Sequence, residues 1–223
     1  MKIVVFTGAG VSAESGLNTF RDNHGLWHDH KIEEVATPEA FDKNPQLVLD
    51  FYNQRQKDAL AAQPNGAHLA VAELEKSHDV TVVTQNVDDL HERAGSTDVV
   101  HLHGQLDWAR ISIDENLPYP LNGEPILLGD KCELGHQLRP HIVWFGEWVP
   151  MLEEAASIIS KADVLIVIGT SLSVYPAAGL VDFAPKNCEK YINALALDDV
   201  PFDFEFIQGK AASEVPNLVK RWL

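Results

Sequence analysis

The chain reads as an α/β protein, a doubly wound parallel sheet carrying a small second lobe made of two insertions. Three observations lead there. Short, nearly continuous apolar runs rich in Val and Ile recur along the sequence, as in parallel strands buried on both faces. Helical stretches alternate with them over most of the length. The first run ends in Gly8-Ala9-Gly10-Val11-Ser12-Ala13, a Gly-x-Gly-x-x-Ala turn of the kind that opens Rossmann-like nucleotide sites.

In chain order, strands are expected at residues 2–6, 80–84, 99–102, 142–145, 164–168 and 191–197. Helices are expected at 45–60, 66–76, 87–94, 151–161, 176–184 and 213–223. Asn65 is a natural N-cap for the second helix, and Pro176 suits the first turn of the fifth. In the glycine turn, backbone without a Cβ can approach a pyrophosphate, and the N-terminus of a following helix would complement its charge. Beyond the turn the chain departs from a dehydrogenase. A strand and an acidic residue about 20 positions on would hold an adenosine ribose. Residues 18–28 are instead a polar loop with large side chains, which points away from hydride transfer.

Two stretches interrupt the alternation. Residues 18 to about 60 are helical and polar, while 105 to about 140 hold four prolines, three glycines and no clean periodicity. Both are expected to leave the carboxyl ends of strands and form the small lobe over a nucleotide cleft. The Rossmann-like core then spans about 1–17, 61–104 and 141–223, in one domain.

Composition sets bounds. At 223 residues, 45% hydrophobic and 22% charged, the chain can bury a substantial core. A formal charge of −16 argues against nucleic acid, whose phosphates need clustered Lys and Arg. Two cysteines, Cys132 and Cys188, do not make a disulfide framework. The apolar run at the N-terminus is too short for a signal peptide, and no stretch approaches ~20 apolar residues. A cytoplasmic protein with no membrane partner is expected.

Chemistry-bearing residues collect where strands end. Gln85, Asn86, Val87 and Asp88 follow the second strand; an amide and a carboxylate there suit a carboxamide or ribose hydroxyls, and equally a helix N-cap. The next strand ends in His101-Leu102-His103-Gly104, with both imidazoles on one face. Either is a general base near neutral pH or a hydrogen-bonded core residue. Val143-Trp144-Phe145-Gly146-Glu147 offers an edge for an extended peptide, although aromatic residues in such a strand are by default core. Gly169-Thr170-Ser171 and Asn193 add small polar groups near two further strand ends.

Taken in order with Thr19-Phe20-Arg21, these motifs resemble the sirtuin family, the NAD-dependent protein-lysine deacylases, over nearly the whole chain. The resemblance implies NAD in the cleft and acyl-lysine side chains of proteins as substrates. The acyl oxygen displaces nicotinamide, and His103 acts as general base on a ribose hydroxyl, so that nicotinamide and O-acyl-ADP-ribose are released. Asn86 and Asp88 would hold the nicotinamide. Gly8, Ala9, Gly10, Ser12, Glu14, Thr19, Phe20, Arg21, Trp27, Gln85, Val87, Gly169, Thr170, Ser171, Asn193 and Ala211 would contact the rest of the NAD. The peptide would lie along Val143, Phe145 and Gly146. NAD hydrolysis or ADP-ribosyl transfer shares the first half of this chemistry, and a non-catalytic binding module is a further alternative.

Tyr52 and Arg55 stand three apart on one helical face, where a phenol and a guanidinium can grip a carboxylate, although on the residues alone a surface Arg beside a packed Tyr is the commoner arrangement. Tyr-x-x-Arg resembles the bacterial class III sirtuins, which implies removal of succinyl as well as acetyl groups. One departure concerns metal. Most sirtuins hold a structural zinc with two Cys-x-x-Cys pairs, but here Cys132 is the sole thiol between His103 and Arg139. With His136 as its nearest companion it falls short of a four-ligand site, so no zinc is expected. The insertion should then be held by packing of Trp108, Ile111, Ile113, Leu127 and Leu128.

Overall fold

A computed structural model describes residues 1–18 and 30–223. Its elements run β1 (Lys2–Thr7), α1 (Ile32–Val35), α2 (Pro38–Lys43), α3 (Pro45–Ala61), α4 (Gly66–Leu74), β2 (Asp79–Thr84), α5 (Leu90–Ala94) and β3 (Val99–His101). The chain continues through β4 (Gly104–Ile111), β5 (Asp114–Pro120), β6 (Arg139–Ile142), α6 (Leu152–Ile159), β7 (Val164–Ile168), β8 (Glu189–Ala194), β9 (Glu205–Gln208) and α7 (Ala211–Leu218). Six strands form a parallel sheet in the order β3-β2-β1-β7-β8-β9, and β5-β4-β6 form a small antiparallel sheet.

The apolar strands do what their composition demands. Along β1, Ile3 and Val5 pack with α4 and α7 on one face, while Val4 and Phe6 pack with α6 on the other. The same alternation divides Val164, Ile166 and Ile168 from Leu165 and Val167 in β7. With both faces covered, every position from Ile3 to Phe6 and from Val164 to Ile168 is apolar. Asn65 caps α4, its carboxamide oxygen accepting from the Ala67 N–H at 2.9 Å.

Several expectations need correction. The strand expected at 142–145 is β6, shifted to Arg139–Ile142, and it pairs with β4 rather than joining the parallel sheet. Past Ile142 the chain turns away, because the Trp144 N–H is taken by the Glu147 carboxylate and Gly146 adopts φ +90°. The sixth parallel strand is instead β9, a short edge strand whose half-exposed residues carry little apolar signal. Residues 105–140 are not irregular throughout, since β4 and β5 form an antiparallel pair there. Register shifts along β4 leave Ala109, Arg110 and Ile111 all buried, which erases the alternation a strand should show. Of the side chains expected to hold this insertion, Ile111 is buried, but Ile113, Leu127 and Leu128 are exposed. Leu106, Ala109, Ile126, Ile142 and Trp144 pack against Val48, Leu49 and Tyr52 of α3 instead.

Helix boundaries also shift. The helix expected at 87–94 starts at Leu90, the 176–184 stretch is a 3-10 helix (Ala177–Phe183) with Pro176 ahead of it, and the last helix begins at Ala211. After the glycine turn come two short 3-10 turns, Ala9–Val11 and Ala13–Ser15. Within the described residues 8–18, no regular helix follows the turn to offer its N-terminus to a phosphate.

Candidate functional site

The strand order reverses between β1 and β7, the place where an open parallel sheet leaves a crevice beyond its carboxyl ends. A cleft of about 600 Å³ opens there. Gly8, Ala9, Gly10 and Ser12 line it from β1, and Gln85, Asn86, Val87 and Asp88 from β2. His103 enters from beyond β3, Gly169, Thr170 and Ser171 from β7, Asn193 from the end of β8, and Ala211 from the start of α7. Tyr52 and Arg55 of α3 reach the same cavity, as do Val143, Phe145 and Gly146. Glu14 does not line it: its carboxylate accepts from the Ala212 N–H at 2.8 Å, at the N-terminus of α7. Thr19, Phe20, Arg21 and Trp27 lie outside the described residues.

The glycines answer first to packing. The Gly10 N–H donates to the Gly169 carbonyl at 2.8 Å, and a Cβ on Gly10 would come within 2.7 Å of that oxygen. The ends of β1 and β7 therefore touch backbone to backbone, with Gly169 at φ +65°.

Beyond β2, Ser12 links the two polar residues of the loop. Its Oγ accepts from Asn86 Nδ2 at 3.1 Å and donates to Asp88 Oδ2 at 3.1 Å. Asp88 Oδ1 accepts from the Leu90 N–H at 3.2 Å, so this carboxylate both lines the cleft and holds the first N–H of α5. Burial pushes the Asp88 carboxyl up, against the pull of those two donors. His68, which sequence reasoning missed, stands behind them. Its Nδ1 accepts from the Asn65 N–H, which leaves a hydrogen on Nε2, 3.5 Å from Ser12 Oγ. Burial takes His68 down to about 4, so the ring is neutral. The spacing Asn65-x-x-His68, a cap and its reciprocal partner, was the signal for it.

The two histidines at the end of β3 share a design and differ in task. His103 Nδ1 donates to the Gln85 carbonyl at 3.0 Å, since a carbonyl only accepts, and Nε2 keeps its lone pair. Burial lowers its pKa, against the help of that carbonyl, so the ring is a neutral base at neutral pH. His101 is held more tightly, with Nδ1 3.0 Å from the Asn86 carbonyl and Nε2 2.6 Å from Glu92 Oε1. Gly104 follows at φ +82°, and any side chain there would run into the His141 carbonyl of the neighbouring strand.

At the other end of the cleft Tyr52 packs against Trp144, ring centroids 6.2 Å apart. The Tyr52 hydroxyl is buried and makes no well-formed hydrogen bond among the described residues. Burial pushes it up to about 12, against the pull of Arg55, while burial brings Arg55 down to about 10. At neutral pH the pair therefore presents a phenolic O–H and a charged guanidinium. Trp144 is buried, but Phe145 is 46% exposed at the cleft.

Under Trp144 lies a second cluster that sequence reasoning missed. Glu147 accepts from both terminal nitrogens of Arg139, at 2.7 and 3.1 Å, and from Arg110 at 2.9 Å. The Arg139 guanidinium stacks 3.3 Å from the Trp144 ring centroid. Arg139 is buried. Only the turn at Gly146, which brings Glu147 back over β6, makes its burial possible. Among the described residues no three His, Cys, Asp or Glu side chains group as a metal site, and Cys132 meets His136 through backbone alone.

The sequence profile of the Sir2 family matches residues 8–176. An NAD-dependent protein deacylase of Bacteroides thetaiotaomicron is 52% identical over 231 residues, covering 99% of this chain and 97% of its own length. One of Aggregatibacter actinomycetemcomitans is 55% identical over 189 residues, covering 85% of this chain and 90% of its own. Among solved structures, a Sir2 homologue in complex with NAD superposes with a TM-score of 0.87 at 42% identity, covering 99% of this chain and 89% of that one. Sir2 bound to acetylated peptide superposes at 0.79 with 30% identity, covering 98% and 92%. On sequence and fold, this chain belongs to the Sir2 family.

Proposed function

We propose that the protein is an NAD-dependent protein-lysine deacylase that removes acetyl and succinyl groups, with nicotinamide and O-acyl-ADP-ribose as products. One observation carries the reading. The free Nε2 of His103, the Asn86–Ser12–Asp88 network and the Tyr52–Arg55 pair all belong to one cleft. The names of the relatives point the same way.

The donor set fits NAD. Asn193 is fully spent on one side, its amide N–H groups reaching the Ile207 and Gly209 carbonyls, while its buried Oδ1 has no partner among the described residues. A ribose hydroxyl at the adenosine end would satisfy that oxygen. When bound, NAD supplies an electrophilic ribose carbon and the hydroxyl to which the acyl group moves. The backbone of Gly8–Gly10 and of Gly169–Ser171 would line its phosphates and riboses. Asn86, with a donor and an acceptor, matches a carboxamide, and Ser12 keeps it aligned with Asp88. His103 takes the hydroxyl proton at Nε2, while its bond to Gln85 keeps the tautomer fixed. The acyl-lysine of a protein substrate would enter along residues 143–146.

Succinyl removal rests on Tyr52 and Arg55, whose phenol and cation are complementary to a carboxylate at the tip of the acyl chain. In the same reading residues 18–60 and 105–140 are the small lobe, which needs no zinc; metal analysis finding one zinc per chain would overturn that part. A cytoplasmic place agrees with two free cysteines and with no described helix long and apolar enough to cross a membrane.

Nicotinamide release measured with and without acetylated or succinylated peptide tests the reading. Release that requires peptide, with mass spectrometry showing the acyl group moved to ADP-ribose, is the expected outcome. Release independent of peptide would make the protein an NAD hydrolase, and none at all a binding module.

A further inference from the structure

His101 is two residues from the catalytic imidazole and belongs to no step above. Its contacts are unusual. Nδ1 lies 3.0 Å from the Asn86 carbonyl oxygen and Nε2 lies 2.6 Å from Glu92 Oε1. A carbonyl and a carboxylate both accept and neither donates, so both ring nitrogens must present hydrogens. A neutral ring would turn a lone pair on one of these oxygens. The geometry therefore describes an imidazolium, with the side chain of His101 only 8% exposed and that of Glu92 35% exposed.

The consequence lies in what the ring holds. His103 donates to the Gln85 carbonyl and His101 to the Asn86 carbonyl, so successive carbonyls of the loop after β2 hang from alternate residues of the β3 exit. That loop carries Asn86 and Asp88. Glu92, on α5, ties the same ring to the helix whose first N–H bonds to Asp88. We propose that His101, clamped between Glu92 and the Asn86 carbonyl, is a positioning residue that fixes the Asn86–Asp88 loop for the nicotinamide end of NAD, and that it does so only while its ring is charged. This rests on the deacylase reading for what the loop binds.

The charged groups around the ring agree. Glu92 from α5 and Asp88 from the loop both favour its protonation, and they outweigh the burial that opposes it, so its pKa is raised. Burial would raise Glu92, yet the bond to His101 brings it down. His91 of α5 and His141 of β6 also feel the His101 charge, and both are held neutral, mainly by burial. His101 is thus the cation of a group whose other imidazoles are uncharged.

Two measurements on the full chain decide the matter. Nitrogen NMR of the histidine side chains, with His101 assigned through His101→Gln, is expected to show both its nitrogens protonated at pH 7.5 (about one unit above a free imidazole) and a neutral ring in Glu92→Gln. A neutral ring in the wild type, or no change in Glu92→Gln, overturns the proposal whatever the protein's activity. Steady-state kinetics with acetylated peptide should show the KM for NAD in Glu92→Gln raised about tenfold at that pH, as for loss of one charged hydrogen bond. The rise should shrink as pH falls and the ring regains its proton, leave the KM for peptide unchanged, and be largely reversed in Glu92→Asp. A defect of equal size at every pH, or one confined to kcat, overturns it in favour of a purely structural pair. Absence of peptide-dependent turnover in the wild type would sink the deacylase reading, while leaving the NMR arm to judge the charge.

Discussion

His103 keeps its lone pair on Nε2 because a backbone carbonyl claims the hydrogen on Nδ1. Burial lowers its pKa, so the base stays unprotonated further into acid than a free imidazole of ~6.5. The acid limb of kcat/KM is accordingly expected to fall below that value; a limb above it would contradict the assignment. Arg55 remains charged at neutral pH even though burial brings it to about 10. Replacing it by Met should cost desuccinylation about a hundredfold, the loss of a buried charged contact, and leave acetyl-lysine turnover within a few-fold. Equal loss on both acylated peptides would remove Arg55 from the acyl pocket. At this scale the sequence was informative about place, because the candidate residues follow strand ends whose positions the apolar runs mark, and they line one cleft. What stayed hidden were partners brought in from afar, such as His68 behind Ser12 and Glu147 over Arg139.

At the scale of elements, the antiparallel sheet and the loop after it depend on a buried charge cluster. Glu147 pairs with both Arg139 and Arg110 and also accepts from the Trp144 N–H. Glu147→Ala would leave the buried Arg139 cation without its carboxylate. A cost of about 3–5 kcal/mol is expected, read from the urea midpoint. Because Trp144 rides on Arg139 and packs on Tyr52, the acyl pocket should loosen at the same time. An unchanged midpoint would mean that the cluster does not hold the lobe. This sheet was poorly legible in sequence for the reason its strands are distorted: register shifts along β4 cancel the alternation. The parallel sheet was legible except that residues 142–145 stood in for β9, an edge strand that needs no apolar run. The two turns after Gly8 resembled a helix start because short 3-10 turns use the same small and polar residues.

The whole molecule carries several buried neutral histidines. Burial depresses His68 to about 4, His141 to about 4 and His91 well below the ordinary value, and it lowers His103 as well. For each, the folded pKa lies below the unfolded one, so its contribution is complete above ~6.5 and is lost as pH falls toward 4. His68, fully buried, accounts for about 3 kcal/mol across that window. His101 has the opposite sign: its contribution is complete below ~6.5 and is lost as pH rises through its raised folded pKa. With four rings acting one way and one the other, the urea midpoint should drop between pH 7 and pH 5, and His68→Gln should flatten that drop. A midpoint that holds or rises over the interval would contradict the burial of these rings.

The central claim concerns one proton acceptor in the cleft, and single-turnover deacylation of an acetylated peptide by His103→Ala tests it most directly. General-base catalysis contributes roughly 10²–10⁴-fold, so a loss of that size with the fold intact by circular dichroism is the predicted result. Deacylation at the wild-type rate in the substituted protein would contradict it.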